Sequence, residues 1–147
     1  MRPRVIVLVG LPGSGKSTYL EKIGAPALSS DAVRALLADD PTDQSLHARV
    51  FATIRYLLRH RLAIGRPVTY IDATNLTRAE RRPYLRIAEA YGAEAEALFF
   101  DVPLEECLER NRRRRRVVPE EALRKMAAKL SPPTLQEGFS RVTVVGP

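Results

Sequence analysis

The chain is poor in cysteine and lacks long apolar runs. It has 147 residues and one cysteine, Cys107, so no internal disulfide is possible and a cytoplasmic location is expected. No apolar run approaches the ~20 residues needed to span a bilayer, and the short apolar stretch after the basic N-terminus runs directly into glycines, unlike a signal peptide. We therefore expect a single domain over residues 1–147, without a membrane partner, in which Cys107 packs in the core.

Histidine and aromatic residues are also scarce. The two histidines, His47 and His60, lie on one predicted helix without metal-ligand spacing, so surface or packing roles are expected for them. Aromatic residues make up 6% of the chain, and none interrupts the arginine run from Arg110 to Arg116. That run therefore offers no platform on which nucleic-acid bases would stack.

The positive charge is concentrated in the same run. The chain has 24 basic and 17 acidic residues, a net charge of +7, and Arg112 through Arg116 supply five of those charges. Three roles fit such a segment: a mobile lid over residues 110–118 whose arginines close on a γ-phosphate, a contact with a nucleic-acid backbone, and a solvated flexible stretch. The first two are compatible, because five adjacent arginines cannot all reach one phosphate.

Short apolar runs alternate with helical patterns along the whole chain. This alternation predicts an α/β fold, with a parallel sheet of about five strands covered by helices on both faces and an arginine-rich helical lid. The predicted strands are Val5–Val9, Ala27–Ser29, Val68–Ile71, Ala97–Phe100 and Arg141–Val145. The predicted helices run through Tyr19 and Leu20, over Asp31–Ala38, Asp43–Ile64 and Thr77–Tyr91, and from openings at Pro103 and Pro119.

A glycine-rich segment between the first strand and the first helix fits the pattern G-x-x-x-x-G-K-[ST]. Its glycines allow backbone N–H groups to turn inward around an anion, and the helix N-terminus adds unpaired donors and a positive dipole end. Lys16 is placed to reach the β- and γ-phosphates of ATP. The predicted phosphate-binding residues are Gly10, Leu11, Pro12, Gly13, Ser14, Gly15, Lys16, Ser17 and Thr18.

Two side chains are candidates for binding Mg²⁺. Ser17 follows the lysine of the phosphate-binding pattern, and its hydroxyl is a typical ligand of the nucleotide's metal. Asp72 ends a predicted strand, where its carboxylate would bind the ion directly or through water, or would only cap a turn. Ala73 and Thr74 follow, and the absence of a glutamate next to Asp72 disfavours a pure ATP hydrolase.

A second acidic position follows the short second strand. In a doubly wound sheet, Asp31 would face the phosphate-binding segment across the carboxyl ends of the strands and would accept the proton of an attacking hydroxyl. Arg34 lies three residues on, on the same helical face, and is suited to an anionic acceptor. The alternative is that Asp31 or Ser30 only caps the helix while Arg34 is solvated.

With these residues in place, the chain resembles the kinase domain of polynucleotide 5′-hydroxyl kinases over nearly its whole length. That resemblance implies a P-loop kinase fold, with Asp31 as general base, Arg34 on the acceptor's phosphate, and a lid arginine, Arg113 or Arg114, on the ATP phosphates beside Arg110. Two details differ from the phage-type members of that family. They carry the acidic residue immediately before Thr-Asn, where this chain has Ala73, and their lid is about one residue longer than the lid here. The shared segments are Gly10–Thr18, Asp31 with Arg34, Ile71–Asn75 with Arg81 and Arg82, Phe100–Pro103, Glu109–Arg112, Val118–Pro119 and Pro132–Phe139.

The resemblance and the residues together predict a kinase that uses ATP and Mg²⁺. The expected acceptor is the 5′-OH end of a polynucleotide, DNA or RNA. Two alternatives remain open at this stage: a small-molecule kinase acting on a sugar, nucleoside or antibiotic, and a regulatory nucleotide-binding module without transfer activity. The sequence does not decide the oligomeric state.

Overall fold

The described part of the chain forms one five-stranded sheet and six α-helices. A computed structural model describes residues 1–114 and 117–146. The elements, in chain order, are β1 (Arg4–Val9), α1 (Lys16–Ile23), β2 (Ala27–Ser29), α2 (Ser30–Ala38), α3 (His47–Ala63), β3 (Val68–Asp72), α4 (Arg78–Ala90), β4 (Glu94–Phe100), α5 (Leu104–Arg112), α6 (Glu120–Lys129), a 3₁₀ turn (Leu135–Glu137) and β5 (Arg141–Val145). Among these residues, no helix is long and apolar enough to cross a membrane.

All strand pairs are parallel, in the order β2-β3-β1-β4-β5. The carboxyl ends of the strands therefore meet at one edge of the sheet. Because β1 lies between β3 and β4, the chain leaves β1 at the point where the strand order reverses, which is where open α/β sheets form their binding crevice. The expectation of a parallel sheet of about five strands is confirmed.

Helices cover both faces of the sheet, as predicted, because β1 is apolar at every position from Val5 to Val9. Val5, Val7 and Val9 face one side, where they pack with residues of α3 and α4. Ile6 and Leu8 face the other side, where they pack with Leu20 of α1. A continuous apolar run is what a strand buried on both faces requires, and each fully buried aliphatic side chain contributes about 1.5–3 kcal/mol.

A separate apolar cluster ties α5 and α6 to the loop that follows β1. Leu11 of that loop packs with Val102, Cys107, Leu108 and Leu123, all of which are buried. Cys107 is therefore a core residue, as expected. This cluster holds the two C-terminal helices beside the glycine-rich segment.

Helix α3 begins at His47, four residues later than predicted, because the preceding aspartates form turns. The Asp40 carboxylate accepts hydrogen bonds from the backbone and side chain of Thr42, at 2.9 and 2.7 Å. Asp43 accepts the equivalent pair from Ser45, at 2.9 and 2.6 Å, and these bonds lower the pKa of Asp43. Aspartate side chains that bind backbone N–H groups two residues on compete with helix formation.

Strand β4 begins at Glu94, three residues before the predicted start, because its charged residues have partners. The Arg4 side chain donates two hydrogen bonds to the Glu96 carboxylate, at 2.7 and 3.0 Å, and Arg4 lies in the neighbouring strand β1. Glu96 is 8% exposed. Glu96, which lies outside the predicted strand, is thus held in the sheet by a cross-strand ion pair.

The arginine-rich segment begins in a helix, and its described residues after Arg112 are not helical. Helix α5 ends at Arg112, and Arg113 and Arg114 lie in the turn and bend that follow. The buried carboxamide of Asn111 donates to Val118 O at 2.6 Å and accepts from Val118 N at 2.9 Å, so it joins the two ends of the segment. The predicted lid at about 110–118 thus comprises the last turn of α5 and, within the described residues, the non-helical residues 113–114 and 117–118. Arg115 and Arg116 lie outside the described residues.

Candidate functional site

The phosphate-binding pattern forms a tight loop between β1 and α1. A Cβ atom at Gly10 would lie 2.6 Å from Ser14 Oγ and 3.0 Å from Phe100 Cβ, so only glycine fits there. Gly15 precedes α1 with φ of 102°, a left-handed conformation that a side chain would strain. The loop thus brings its backbone N–H groups and the N-terminus of α1 to one point, an arrangement that binds phosphate groups.

Lys16 is buried at the centre of this loop. Its Nζ donates hydrogen bonds to Gly10 O and Leu11 O, each at 2.8 Å. Burial lowers the pKa of Lys16 to about 8, against the opposing attraction of Asp72 and Asp31, and the charge of Arg114 lowers it further. Lys16, both candidate acidic residues and Arg114 line the same cavity.

The two candidate metal ligands come from neighbouring elements. Ser17 is exposed in the first turn of α1, and Asp72 is the last residue of β3, which pairs directly with β1. Burial raises the pKa of Asp72, while the charge of Lys16 opposes that rise. A hydroxyl and a carboxylate are ligands that Mg²⁺ prefers, and a bound triphosphate would complete the set with its own oxygens. Within the described residues, no three His, Cys, Asp or Glu side chains cluster as a metal site by themselves.

Asp31 and Arg34 occupy the first turns of α2, directly after β2. Ser29 caps this helix, because its Oγ accepts from Ala32 N at 3.2 Å, so neither Asp31 nor Ser30 is the capping residue. Asp31 is exposed, and its Oδ1 accepts a hydrogen bond from Arg34 Nη1 at 3.2 Å. Arg34 is only 4% exposed, which excludes a solvated side chain.

Arg34 also carries an unused donor. Its Nε is buried and has no hydrogen-bond partner among residues 1–114 and 117–146. A buried donor without an acceptor is unfavourable by about 1–3 kcal/mol, and native proteins have few such groups, each with a reason such as a catalytic role or a bound water or ion.

One cavity of about 1180 Å³ brings the predicted residues together. It is lined by the phosphate loop, Asp31, Arg34, Asp72 and Arg110. The phosphate loop follows the central strand β1, so the cavity has one side next to β2 and β3 and another next to β4 and β5. The β2–β3 side holds α2 and the start of α3, which packs against β2 and β3, and the β4–β5 side holds Phe100, Val145 and Gly146.

The described arginines of the 110–116 run, Arg110 and Arg112 to Arg114, have different partners. Arg110 Nη1 donates to Gly13 O at 3.1 Å, so this side chain braces the phosphate loop. Arg112 and Arg113 pair with glutamates on the outer side, Arg113 with Glu109 at 3.6 Å. Arg114 lines the cavity and lowers the pKa of Lys16, whereas Arg113 does not line it. Arg115 and Arg116 lie outside the described residues.

Sequence reasoning missed how the segment after β3 is fixed to the phosphate loop. Gly10 N donates to Thr74 O at 3.0 Å, and the buried Asn75 side chain donates to Leu8 O at 2.7 Å. Asn75 adopts φ of 47°, a left-handed conformation that asparagine tolerates better than most residues. The Asp-x-Thr-Asn motif therefore holds the end of β1 as well as supplying a carboxylate.

Sequence reasoning also missed the aromatic lining of the β2–β3 side. His47 and Phe51, one turn apart in α3, form a ring pair with centroids 4.7 Å apart and lie at the cavity wall. An i, i+4 aromatic pair is visible in the sequence, but its position in the same cavity as Arg34 depends on how α3 packs against α2.

A family model described as AAA domain (AAA_33) matches residues 5–133 of the chain. The chain belongs to this AAA-domain family. The match includes the phosphate loop, Asp31, Arg34, Asp72 and the described arginines. Together with the fold, it makes this AAA domain a nucleotide-binding, P-loop kinase-like domain.

Solved structures with similar folds include several kinases. A chain of the "Pnkp1/Rnl/Hen1 RNA repair complex" is 25% identical with a TM-score of 0.74, and the alignment covers 88% of this chain and 44% of that chain. This AAA domain therefore spans less than half the length of that relative. A gluconokinase from Sinorhizobium meliloti 1021 is 24% identical, with a TM-score of 0.63, over 99% of this chain and 84% of that one.

A third similar structure contains nucleotide. The APS kinase CysC of Mycobacterium tuberculosis, in complex with AMPPNP and APS, is 19% identical, with a TM-score of 0.60, over 97% of this chain and 86% of that one. At these identities, the gluconokinase and the APS kinase show the fold alone. The identity of the phosphate acceptor depends on the residues that line the cavity.

Proposed function

We propose that this domain transfers the γ-phosphoryl group of ATP to the 5′-OH end of a polynucleotide. The observation that carries the proposal is Arg34, a buried guanidinium with an unpartnered Nε, hydrogen-bonded to the exposed Asp31 in the cavity that also contains Lys16. The arrangement offers an acceptor site that combines a base for a hydroxyl proton with a binding group for an adjacent anion.

Asp31 supplies the proton acceptor in this mechanism. The acceptor's 5′ oxygen attacks the γ-phosphorus, its proton passes to the Asp31 carboxylate, and the bond from the γ-phosphorus to the β,γ-bridging oxygen breaks to release ADP. Lys16 and the backbone donors of the loop stabilise the charge that develops on the phosphoryl oxygens, and Arg114 is positioned to do the same.

Ser17 and Asp72 would hold Mg²⁺ beside the loop, where the ion supplies charge neutralisation between the β- and γ-phosphates. Both residues line the cavity, and their oxygen atoms suit the ion. The burial that raises the pKa of Asp72 also makes an isolated carboxylate unfavourable there, which fits a site completed by a cation.

Arg34 favours a nucleotide over a neutral acceptor. The 5′-terminal nucleoside of a polynucleotide is followed by a phosphodiester, which is an anion close to the reacting hydroxyl. A nucleoside or neutral sugar has no such anion and would offer no charge-assisted partner to the Arg34 guanidinium, which lines the cavity. The alternative is a small-molecule kinase, since the gluconokinase has the same fold over 84% of its chain.

The test is transfer of label from [γ-³²P]ATP to a panel of acceptors. We expect 5′-OH DNA or RNA oligonucleotides and a nucleoside 3′-monophosphate to be phosphorylated much better than the bare nucleoside, and gluconate to be inert. Arg34→Ala should reduce the ratio of these rates about ten- to a hundredfold, because a hydrogen bond to a charged group contributes ~1.5–3 kcal/mol. Arg49→Ala, an exposed arginine on α3, is the matched control.

Three results would refute the assignment. Gluconate or a bare nucleoside phosphorylated as well as an oligonucleotide would favour the small-molecule kinase. Equal losses on all acceptors in Arg34→Ala would remove Arg34 from acceptor recognition. If ATP binds but no acceptor is labelled, the domain is better described as a nucleotide-binding regulatory module.

A further inference from the structure

Helix α3 carries two aromatic–histidine pairs, each with i, i+4 spacing. His47 and Phe51 have ring centroids 4.7 Å apart at an interplanar angle of 46°, and Tyr56 and His60 have centroids 4.4 Å apart at 58°. Only the first pair lines the large cavity. The two pairs have similar chemistry, so the cavity position of the first pair distinguishes it.

Two features position the His47–Phe51 pair: the packing of Phe51 and the turns that precede His47. Phe51 is partly buried and packs against the main core, while His47 is exposed at the first position of α3. The preceding segment is fixed by the turns that Asp40 and Asp43 form, and its residues Pro41, Thr42 and Gln44 line the same cavity as Arg34. A ring that is already ordered loses little conformational freedom when a ligand binds against it.

The ring pair belongs to the acceptor side of the phosphate loop. In the proposed reaction the γ-phosphate faces Asp31, so the adenosine end of ATP points away from α2, toward the β4–β5 side. Arg110, Val145 and Gly146 line that other side. His47 and Phe51 lie on the β2–β3 side with Asp31 and Arg34, because α3 packs against α2, β2 and β3.

We infer that the His47–Phe51 pair is a stacking site for the base of the acceptor's 5′-terminal nucleotide. The inference rests on the proposed function and adds the chemical group that the cavity recognises. Every nucleobase has a π-face, and stacking on an aromatic side chain is tolerant of base identity. Phe51 offers no hydrogen bond to the hydroxyl groups of a sugar acid, whereas Arg34 and a nearby ring surface suit a phosphate joined to a base.

The test compares two oligonucleotides that differ only at the 5′-terminal residue, one with a base and one with a tetrahydrofuran abasic residue. Both keep the 5′-OH and the first phosphodiester. In the wild-type protein we expect the abasic end to lower kcat/KM about five- to a hundredfold, the range of ~1–3 kcal/mol measured for stacking of one base. His47→Ala and Phe51→Leu should reduce this difference, with the KM for ATP unchanged.

Tyr56→Leu and His60→Ala are the matched controls, since this pair lies on the same helix outside the cavity lining. His47 is exposed, so His47→Ala remains informative even if Phe51→Leu disturbs the core. Retention of the wild-type preference in these controls, with its loss in His47→Ala, supports the inference.

Three outcomes overturn it. Equal kcat/KM for the base-bearing and abasic ends in the wild type removes the stacking site and leaves the polynucleotide kinase assignment intact. A raised KM for ATP in His47→Ala, with the abasic difference unchanged, assigns the rings to the adenine of ATP. Failure to phosphorylate either oligonucleotide refutes the proposed function and the stacking site together.

Discussion

Arg81 and Glu137, 56 residues apart in sequence, form a two-pronged ion pair inside the protein. Arg81 Nε and Nη2 donate to the two Glu137 oxygens at 2.8 and 3.0 Å, and the side chains are 0% and 3% exposed. The remaining Arg81 nitrogen, Nη1, donates to Asn75 O and Ser131 O, each at 2.9 Å. One buried guanidinium thus joins the 3₁₀ turn to the segment that fixes the phosphate loop.

Glu137→Gln should destabilise the protein, because it leaves the Arg81 charge buried without a counter-charge. Removing one partner of a buried ion pair lowers the free energy of unfolding by about 3–5 kcal/mol. The matched control is Glu96→Gln, which breaks a similar two-pronged pair with Arg4, whose side chain is 39% exposed. Urea denaturation should show a clearly larger loss for Glu137→Gln, and equal losses would contradict this account.

The affinity for ATP should fall as the pH rises through about 8. Burial lowers the pKa of Lys16 to about 8, and anionic phosphates bind its protonated form. Titration calorimetry with MgATP between pH 7 and 10 should show this decline in the wild type. Lys16→Ala should bind weakly at every pH, should lose transfer activity and should keep its fold.

The same pKa has the opposite consequence for stability without nucleotide. The folded value of Lys16 lies below its ordinary value, so the unfolded chain binds more protons between pH ~8 and ~10.4. The contribution of Lys16 to the free energy of unfolding should therefore rise with pH across that window. A difference between wild type and Lys16→Ala that stays constant from pH 7 to 10 would contradict the lowered pKa.

Asp31→Asn should lower kcat by about 10²–10⁴, the range for loss of a general base. The substitution preserves shape and leaves the Ser29 cap of α2 untouched. ATP affinity should stay near the wild-type value, which equilibrium binding would check. Unchanged turnover would remove the proton-accepting role from Asp31.

Arg113→Ala and Arg114→Ala should differ sharply. Arg114 lines the cavity and lowers the pKa of Lys16, whereas Arg113 pairs with Glu109 outside the lining. Loss of a donor to the transferring phosphoryl group typically costs 10²–10³ in kcat. Steady-state kinetics should show a loss of about that size for Arg114→Ala and a small one for Arg113→Ala, and similar small losses for both would indicate a diffuse electrostatic role.

The local features of this protein were determined by its sequence. The glycine-rich loop forms because a strand, glycines and a helix start follow one another, and the Asp31–Arg34 contact follows from three-residue spacing on a helix. The apolar run of β1 required burial on both faces and hence a sheet between helices. These relationships involve residues close in sequence, so their patterns are readable without the rest of the chain.

The tertiary structure decided the relationships between distant segments. The partner of Arg81 is 56 residues away, and Glu96 enters the sheet only because Arg4 lies in the adjacent strand. The packing of α3 against α2 brings His47 and Phe51 to the cavity that Arg34 also lines, although the similar pair at Tyr56 and His60 lies outside its lining. Burial and long-range pairing depend on how whole elements pack, and a local pattern carries no information about which distant side chain will complete a contact.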